Sequence, residues 1–475
     1  MPWETTLVLP DGDQPAWLRL ADMVVAEVRR GRLRPGDALP GTRRVASQLG
    51  LHRNTVLRAW SELAGQGWIT ASQGGATRIA ELPERPQPAG TPPAGVPFPI
   101  PHRELLHERP SWPPGTLTLA GGRPELRHLP TAELARAWRT AVLRTRGQVL
   151  AYGDAEGHPR LREALRHMLA TERGLVTGPP LVTRGAQQAL YLLAHALLSP
   201  GDRVAVEAYG YPPAWAAFRS AGAVLVPVEV DAQGLVPQDL ERLARQGIRA
   251  LYCTPHHQFP TMVTLPAARR LEVLRLASEH GFVVVEDDYD NEFHFRGHPV
   301  HPLASLDRSG SVAYVGTLSK VLAPGLRVGF LAAAPPVLQA VAQLRRVVDR
   351  QGDAATESAL AELIDDGTVP RHLRRMRRLY AARQARFAAG LHERLGDVLS
   401  WTLPGGGLSL WVHSRLDVER WSRSALSLGL GVETGARFRL DHEAQPTFRA
   451  GFAALDDEEV RTALDRLCKA RPDRL

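Results

Sequence analysis

Cysteine is nearly absent from this sequence, and its absence limits the folds and sites that the chain can form. Among 475 residues only Cys253 and Cys468 are cysteines, and neither belongs to a CxxC pair. Disulfide-held secreted folds and most structural zinc sites need several cysteines. We therefore expect no disulfide framework and no bound metal, and we expect a protein of the reducing cytoplasm.

Long apolar runs are absent as well. No uninterrupted apolar stretch approaches the roughly 20 residues that cross a bilayer. The first 13 residues carry three acids and no base, unlike a secretory signal. A hydrophobic content of 44% is nevertheless enough for a sizeable core, and a length of 475 residues suggests two to four domains. We expect no membrane partner.

Lysine is the third scarcity. The chain has 58 basic residues, but only Lys320 and Lys469 are lysines and all the others are arginines. Arginine supplies a permanent charge, whereas lysine offers an amine that can lose its proton and attack a carbonyl carbon. Lys469 lies near the end of the chain, and we interpret it as incidental. Lys320 is the candidate nucleophile, a Schiff-base lysine.

Composition divides the chain into three parts, at 1–80, 81–115 and 116–475. Eleven prolines lie between 83 and 114, which is typical of a semi-rigid spacer, although a proline-rich ligand for another module has a similar composition. From 116 onward, apolar strands alternate with amphipathic helices such as Leu265–His280. This pattern predicts an α/β fold with a mostly parallel sheet and a smaller C-terminal α/β domain. The predicted strands of the large sheet are Leu181–Thr183, Val204–Glu207, Val224–Val228, Ala250–Cys253, Phe282–Glu286, Val312–Val315 and Val328–Ala332.

The first 80 residues have the pattern of a winged helix-turn-helix. Thr42 is placed to cap a helix at Arg43–Leu49, and a short turn separates it from a second helix at Arg53–Gly65. We predict that the apolar side of the second helix consists of Val56, Leu57, Trp60 and Leu63. Two short strands around Gly74 and Gly75 would form the wing, and the second helix would enter the major groove of DNA.

Charge favours double-stranded DNA as a partner of this module. Between 40 and 80 there are five arginines and one acid, in a chain of net charge +8. We expect the start of the second helix to read base edges, through Arg53, Asn54 and Thr55. Four residues are expected to contact phosphates, namely Thr42, Arg43, Arg44 and Arg58. A small helical interaction domain with a solvated basic face would have the same composition.

The residues around Lys320 match the needs of a pyridoxal 5′-phosphate (PLP) site. Such a site requires an amine for the aldehyde, and hydroxyls with a guanidinium for the phosphate. Lys320, Thr317, Ser319 and Arg327 supply these groups within eleven residues, after a predicted strand. A serine–lysine pair alone would be weak evidence, but it is stronger in a chain with two lysines.

Two other predicted strand ends supply the remaining parts of such a site. Asp287 can keep the pyridine nitrogen protonated, and Tyr289 can donate to the phenolic oxygen of the ring. At the other strand end, Gly185, Ala186 and Gln187 begin a predicted helix whose free N–H groups can hold the phosphate. Carboxylates after strands also cap helices, and glycine turns are common, so each feature has an ordinary structural explanation.

These segments resemble a known family along most of the chain. LRPGDALPGTRRVASQLGLHRNTVLRAWSELAGQGWI (33–69) resembles the winged helix of GntR-type regulators. TRGAQQAL (183–190), VEDDYDNEF (285–293), GTLSK (316–320) and FRAGFAAL (448–455) resemble fold-type I aminotransferases. The combination resembles the MocR-type regulators, in which the two are fused.

The resemblance implies further roles in a PLP-binding homodimer. Lys320 would carry the cofactor, with Asp287 on the pyridine nitrogen, Tyr289 on the ring oxygen, and Thr317 and Arg327 on the phosphate. The roles implied only by the resemblance are stacking on the ring for Tyr211, binding of an effector carboxylate for Arg449, contact with the partner subunit's cofactor for Tyr152, and a position near the ring for His257. A structural role fits His257 equally well.

Three residues depart from the family pattern. Ala208 and Thr434 stand where the family usually has proline, and Met262 stands where it usually has the glycine that ends a turn. All three flank the expected ligand pocket, where they would affect the choice of effector more than the binding of the cofactor.

The sequence thus favours a PLP-dependent transcription regulator that senses an amino compound or PLP itself through Lys320. Two other functions stay open. One is a working aminotransferase with a vestigial DNA-binding module, and the other is a PLP sensor that controls vitamin B6 synthesis or salvage.

Overall fold

The computed structural model describes residues 9–70, 76–81, 99, 112–297 and 300–472. The chain forms two compact units, Met1–His102 and Arg103–Leu475. The expected wing turn at Gly74 and Gly75 and most of the expected linker lie outside the described residues. The domain boundaries predicted above therefore stay predictions.

The first unit contains three helices and a two-stranded antiparallel ribbon. Its core is formed by apolar side chains that recur at helical spacing, such as Leu20 and Val24 of the first helix and Val56 and Leu63 of the third. Ile69 pairs with Ile79 across the ribbon. The elements are α1 (Ala16–Arg29), α2 (Thr42–Leu49), α3 (Arg53–Gly65), β1 (Ile69–Thr70) and β2 (Arg78–Ile79).

Two details of this unit differ from the prediction. Thr42 is the first residue of α2, and Gly41 is the capping position, without a side-chain cap. Leu57 is 44% exposed, because the buried stripe of α3 runs through Val56, Ala59, Trp60 and Leu63 and leaves position 57 beside it. His52 caps α3, and its Nδ1 accepts a hydrogen bond from the N–H of Asn54 at 3.2 Å.

The second unit is built on a seven-stranded sheet with the order β4-β12-β11-β10-β9-β5-β6. All neighbouring pairs are parallel except those of β12, which is antiparallel to both β11 and β4. The expected mostly parallel sheet is confirmed. The strands of this unit are β3 (Leu117–Thr118), β4 (Leu181–Thr183), β5 (Arg203–Glu207), β6 (Val224–Val228), β7 (Val230–Asp231), β8 (Gly234–Leu235), β9 (Ala250–Cys253), β10 (Val283–Asp288), β11 (Val312–Thr317), β12 (Gly329–Ala332), β13 (Leu399–Ser400), β14 (Ser409–Ser414), β15 (Leu430–Gly431), β16 (Glu433–Thr434) and β17 (Thr447–Gly451).

Helices cover both faces of this sheet. Alternate residues of β5 belong to different apolar clusters. Val204 and Val206 pack with α6 (Ala186–Leu197) and α7 (Pro212–Ser220), whereas Ala205 packs with α8 (Pro237–Arg245) and α9 (Ala267–His280). A strand buried on both faces explains the continuous apolar runs in the sequence. The helices are α4 (Thr131–Arg144), α5 (Pro159–Arg173), α6 (Ala186–Leu197), α7 (Pro212–Ser220), α8 (Pro237–Arg245), α9 (Ala267–His280), α10 (Leu303–Leu306), α11 (Pro335–Val348), α12 (Ala354–Asp365), α13 (Thr368–Leu395), α14 (Val418–Ser427) and α15 (Asp457–Lys469).

A smaller antiparallel sheet with the order β13-β14-β17-β16 follows the long helix α13. Its two central strands pair Trp411 with Arg449. The expected smaller C-terminal α/β domain is therefore present. Its central strands lie one to three residues from the bounds that the apolar pattern predicts, Gly407–Val412 and Phe448–Ala454. None of the described helices is long and apolar enough to cross a membrane.

Candidate functional site

The polar residues predicted from separate strand ends meet at one edge of the large sheet. Asp287 lies in β10 opposite Val315 of β11, and Lys320 follows β11 by three residues. The carboxyl ends of parallel strands meet at the same edge, which is where α/β sheets usually bind ligands. The side chains of the site can therefore converge although they are distant in sequence.

Lys320 and Arg449 converge on a pair of glycines. Lys320 Nζ donates a hydrogen bond to the carbonyl oxygen of Gly122 at 2.7 Å. A Cβ atom at Gly122 would lie 3.6 Å from Lys320 Nζ and 3.7 Å from the Arg449 guanidinium, and one at Gly121 would lie 2.5 Å from Arg449 Cζ. A side chain at Gly121 would displace the arginine. The glycines thus let the backbone approach both cationic groups closely.

Arg449 is a buried cation held by neutral groups. Its Nε donates to the hydroxyl of Ser409 at 3.0 Å, and its Cζ lies 4.2 Å from the centre of the Phe259 ring. In the described part of the chain it forms no ion pair, and burial lowers its pKa from the ordinary value. A desolvated guanidinium of this kind favours an anionic ligand, and its planar fork matches a carboxylate.

Asp287 is buried and has one oxygen available. Its Oδ2 accepts a hydrogen bond from the hydroxyl of Tyr252 at 2.9 Å, but Oδ1 has no partner among the described residues. Burial raises the pKa of Asp287 to about 7, although the hydrogen bond from Tyr252 and the charge of Lys320 act in the opposite direction. A protonated ring nitrogen would satisfy Oδ1 and favour the carboxylate form.

A glycine-lined turn stands at the N-terminus of α6. Gly185 has φ +80°, and a Cβ there would lie 3.1 Å from the Arg327 guanidinium, while one at Gly329 would lie 2.6 Å from the Gly185 backbone. Arg327 donates to the carbonyl oxygen of Arg184 at 2.8 Å. The first N–H groups of a helix have no acceptor within it, so those of Ala186 and Gln187 can bind an anion.

Thr317 and Ser319 also lie in this region, both buried. The hydroxyl of Thr317 accepts a hydrogen bond from the N–H of Ser319 at 3.1 Å. The side chain of Gln187 is committed elsewhere, because its Nε2 donates to the carbonyl oxygen of Pro213 at 2.8 Å. Its contribution to a phosphate site would therefore come from the backbone.

Aromatic residues enclose the pocket between the two sheets of this unit. Phe259 lies at its centre, in edge-to-face contact with Tyr211 at 5.3 Å and with Tyr289 at 6.0 Å between ring centres. The hydroxyl of Tyr289 lies 3.7 Å from the sulfur of Met262. Met262 has φ +64°, a left-handed conformation that favours glycine. The departure at 262 thus places a thioether beside Tyr289 where a glycine would leave space.

The structure places the other expected residues as follows. His257 is buried, and its Nδ1 lies 2.8 Å from Oδ1 of Asp290. Tyr152 is 81% exposed, with Arg350 Cζ 4.2 Å from its ring centre. That exposure is compatible with a role in a partner subunit. Ala208 is buried at the end of β5, and Thr434 ends β16.

The expected DNA-contacting residues form an exposed surface on the first unit. Arg43, Arg44, Arg53 and Asn54 are exposed, and Thr42 and Thr55 are half-buried. The guanidinium of Arg58 stacks on Trp17 of α1, with Cζ 4.4 Å from the ring centre. Arg58 would contact a phosphate either from this stacked position or after its guanidinium leaves Trp17.

Several residues of the site were not expected from the sequence. Gly121, Gly122, Tyr252, Phe259 and Ser409 contact the expected groups, but we assigned them no role. The paired glycines before a polar segment are a signal of close backbone approach. Tyr252 sits inside an apolar strand, where nothing in the pattern marks its hydroxyl.

The residues present fit PLP. Oδ1 of Asp287 is buried without a partner, Lys320 faces the same cavity, and the α6 turn offers N–H groups beside Arg327. The fold and this site define a fold-type I unit of aminotransferase type, joined to a helix-turn-helix unit. The fold by itself does not establish that this unit catalyses an aminotransferase reaction.

Comparisons with known proteins agree with both units. Residues 119–467 match the family described as aminotransferase class I and II, and residues 18–79 match the bacterial regulatory proteins of the gntR family. The chain is 33% identical over 472 residues to the "Probable rhizopine catabolism regulatory protein MocR" of Rhizobium meliloti, covering 97% of this chain and 94% of that protein. It is 30% identical over 457 residues to the pyridoxine biosynthesis transcriptional regulator PdxR of Corynebacterium glutamicum, covering 95% of each chain.

A solved structure shows the same fold for the second unit. Pyrococcus horikoshii kynurenine aminotransferase matches with a TM-score of 0.71 and 28% identity, covering 75% of this chain and 90% of that one. The chain belongs to the MocR-type subfamily of the GntR transcription regulators.

Proposed function

We propose that this regulator binds PLP at Lys320, recognises an amino compound that carries a carboxylate, and changes its affinity for an operator in response. The observation that carries the proposal is the convergence of Lys320 Nζ and the Arg449 guanidinium on Gly122. The charge of Lys320 also acts on Asp287, whose Oδ1 has no partner among the described residues. An amine and a carboxylate on one small molecule would meet these two groups at the same time.

When bound, PLP supplies a carbonyl carbon that bonds reversibly to amines. Lys320 would provide the resident amine, and the Gly122 carbonyl oxygen would accept a hydrogen bond from its Nζ. Asp287 would hold the proton on the ring nitrogen, and Tyr289 would donate to the ring oxygen. Tyr211 would cover the ring, with His257 close to it.

The phosphate would be bound at the N-terminus of α6. Three kinds of group would contribute there, at the turn formed by Gly185: the backbone N–H groups of Ala186 and Gln187, the hydroxyls of Thr317 and Ser319, and the guanidinium of Arg327. The positive end of the helix and a guanidinium both favour an anion with two negative charges. This part of the pocket would anchor the cofactor while the amine exchanges.

Arg449 would select effectors with a carboxylate. It is buried, it donates to the neutral hydroxyl of Ser409, and it forms no ion pair in the described part of the chain. An amine without an anionic group would leave this guanidinium desolvated and unpaired, which is costly. Met262, close to both Tyr289 and Ser409, would limit the size of the effector on this side.

The DNA-binding response would require a homodimer. Exposed Tyr152 would reach the cofactor of the partner subunit, and two first units would each present α3 to a half-site of double-stranded DNA. An effector would shift operator affinity only by as much as its own affinity differs between the two conformations of the dimer.

A substitution of each lysine tests the cofactor proposal directly. Lys320→Arg keeps the charge and should abolish the visible absorbance of protein incubated with PLP and the adduct trapped by borohydride. Lys469→Arg is the matched control, because it removes the other lysine from an exposed position on α15. A normal spectrum and a trapped adduct in Lys320→Arg would show that PLP is held elsewhere.

Two other functions are each supported by a specific observation, and turnover and footprinting experiments distinguish them from the proposed one. The complete set of Lys320, Asp287 and Arg449 would also suit an aminotransferase. Multiple turnovers with an amino donor and a keto acid at roughly 1 per second or more, without specific DNA protection, would favour that function. The similarity to PdxR favours control of vitamin B6 synthesis, and footprints that respond to PLP but to no amine would support it.

A further inference from the structure

Three histidines, two of them buried and one half-buried, form a cluster in the second unit. His256 and His257 lie in the loop after β9, and His294 lies after β10. One nitrogen from each ring lies within 4.8 Å of the others. His256 and His257 are 3% and 1% exposed, so solvent does not satisfy their rings.

The two buried rings present unpartnered nitrogens. Among the described residues neither Nδ1 nor Nε2 of His256 has a hydrogen-bond partner, and the same is true of Nε2 of His257. Buried polar atoms are normally satisfied, so three such atoms in one place indicate a missing ligand.

Asp290 orients one of these rings. Its Oδ1 lies 2.8 Å from Nδ1 of His257, so the hydrogen of the neutral ring is held on Nδ1 and the lone pair on Nε2 is left for the cluster. A carboxylate bonded to the far nitrogen of a histidine is the usual support for a metal-ligating imidazole. The same carboxylate would offset the charge of a cation.

We propose that His256, His257 and His294 bind a divalent transition metal of the zinc class. Imidazole ligands suit Zn²⁺, Cu²⁺, Ni²⁺ and Co²⁺, whereas Mg²⁺ and Ca²⁺ prefer oxygen. Zinc–nitrogen distances of about 2.0–2.1 Å place ligand nitrogens about 3.3 Å apart in a tetrahedron. The present separation of up to 4.8 Å requires only small movements of the rings.

Nearby positive charge does not exclude a cation here. Arg173 and Arg270 contribute to the field at His256, but each is near a buried carboxylate, Glu292 for Arg173 and Glu286 for Arg270. The ion would join the loop after β9 to the loop after β10. Because Asp290 follows Tyr289, the ion would stabilise the segment that carries a residue of the cofactor pocket. The expectation of no bound metal rests on the low cysteine content. Low cysteine content bears on cysteine-based zinc sites and not on a site made of histidine.

Metal titration of the full-length holoprotein tests this site. After treatment with a chelator and removal of unbound PLP, Zn²⁺ should bind at one ion per chain, and Co²⁺ should give the visible bands of a tetrahedral site. His256→Gln and His257→Gln should each lower Zn²⁺ affinity at least 100-fold, and Asp290→Asn should lower it about 10- to 100-fold. The matched control is His167→Gln, an exposed position on α5, which should bind as wild type.

Far-ultraviolet circular dichroism and thermal unfolding show whether each variant retains its fold. If the variants do not fold, X-ray absorption of the zinc-loaded wild-type protein must show three imidazole nitrogens. Fewer than three, no stoichiometric binding, or unchanged affinity in folded His256→Gln and His257→Gln would overturn the proposal. An ordered water in place of an ion corresponds to the second of these outcomes.

Discussion

The two units present their functional groups in opposite ways. Arg43, Arg53 and Asn54 of the first unit are exposed and depend little on one another. Asp287 and Arg449 of the second unit are buried, and each is held by neighbours from distant parts of the chain. A surface site can therefore lose one contact at a time, whereas loss of one member of the pocket leaves other buried groups without a partner.

The acids of the two units show the same difference. In the first unit, hydrogen bonds from Arg32 lower the pKa of Glu27 despite partial burial. In the second, burial raises the pKa of Glu207 to about 7, because hydrogen bonds from Thr254 compensate only in part. The first unit pairs Glu27 with arginines. The second unit also pairs a buried acid with arginines, Glu125, but it keeps others, such as Glu207, whose charged form the fold disfavours.

The largest effect is expected for a buried residue of the pocket. Asp287→Asn should weaken PLP binding by about 2–5 kcal/mol, because the ring nitrogen would lose its carboxylate partner in a desolvated site. Equilibrium titration of the apoprotein with PLP measures this change. The same substitution at Asp231, which forms an exposed ion pair with Arg269, is the control. Equal PLP affinity in Asp287→Asn would show that this carboxylate does not face the cofactor.

Substitution of a base-reading residue of the first unit should have a smaller effect, which is limited to DNA binding. Arg53→Ala should weaken binding to a specific operator by about 1–3 kcal/mol and leave PLP loading unchanged. Arg44→Ala should instead weaken binding to all sequences and reduce the salt dependence, as expected of a phosphate contact. Mobility-shift titrations on operator and scrambled DNA distinguish the two. Unchanged operator affinity in Arg53→Ala would remove it from the base-reading group.

The strand and helix pattern of the second unit was largely predictable, and its site only partly. β4, β6 and β9 begin and end where the apolar runs do. β10 and β11 extend two residues further, through Asp288 and Thr317, because polar residues of the pocket remain hydrogen-bonded in the sheet.

The contacts of the pocket could not be predicted in the same way. Arg449 meets Gly121 only because the smaller sheet packs beside the segment that follows β3, and periodicity along the chain carries no information on that packing. Tyr252 was missed for a related reason, since its ring is one of the apolar residues of β9 while its hydroxyl serves Asp287. Motif residues were found by their chemistry, and their supporting residues depend on tertiary structure.

Buried acids should make the stability of the second unit depend on pH. The folded state retains the proton on Glu207 up to about pH 7, whereas an unfolded glutamate loses it near its ordinary pKa of about 4.3. The folded state thus binds more protons between these values, so the free energy of unfolding falls as pH rises through this window and levels off above it. Glu207→Gln should reduce this fall by about 2 kcal/mol between about pH 5 and about pH 7.5.

Denaturant unfolding of the apoprotein at about pH 5 and about pH 7.5 measures this difference. Glu163→Gln on α5 is the control, since Glu163 is exposed and its pKa is lowered by Arg166. A fall of wild-type size in Glu207→Gln would assign the pH dependence to other groups, such as Glu286, whose pKa burial also raises to about 7.

The smallest effect is expected at the residue of α3 that was placed on the wrong face. Leu57→Ala should change the free energy of unfolding of the first unit by no more than about 0.5 kcal/mol, because the side chain is already 44% exposed. Leu63→Ala in the same helix should cost about 2–5 kcal/mol, because Leu63 is fully buried. Thermal unfolding compares the pair. If Leu57→Ala weakens operator binding without changing stability, then Leu57 belongs to the same exposed surface as Arg53 and Asn54, and an apolar contact with a thymine methyl group accounts for it.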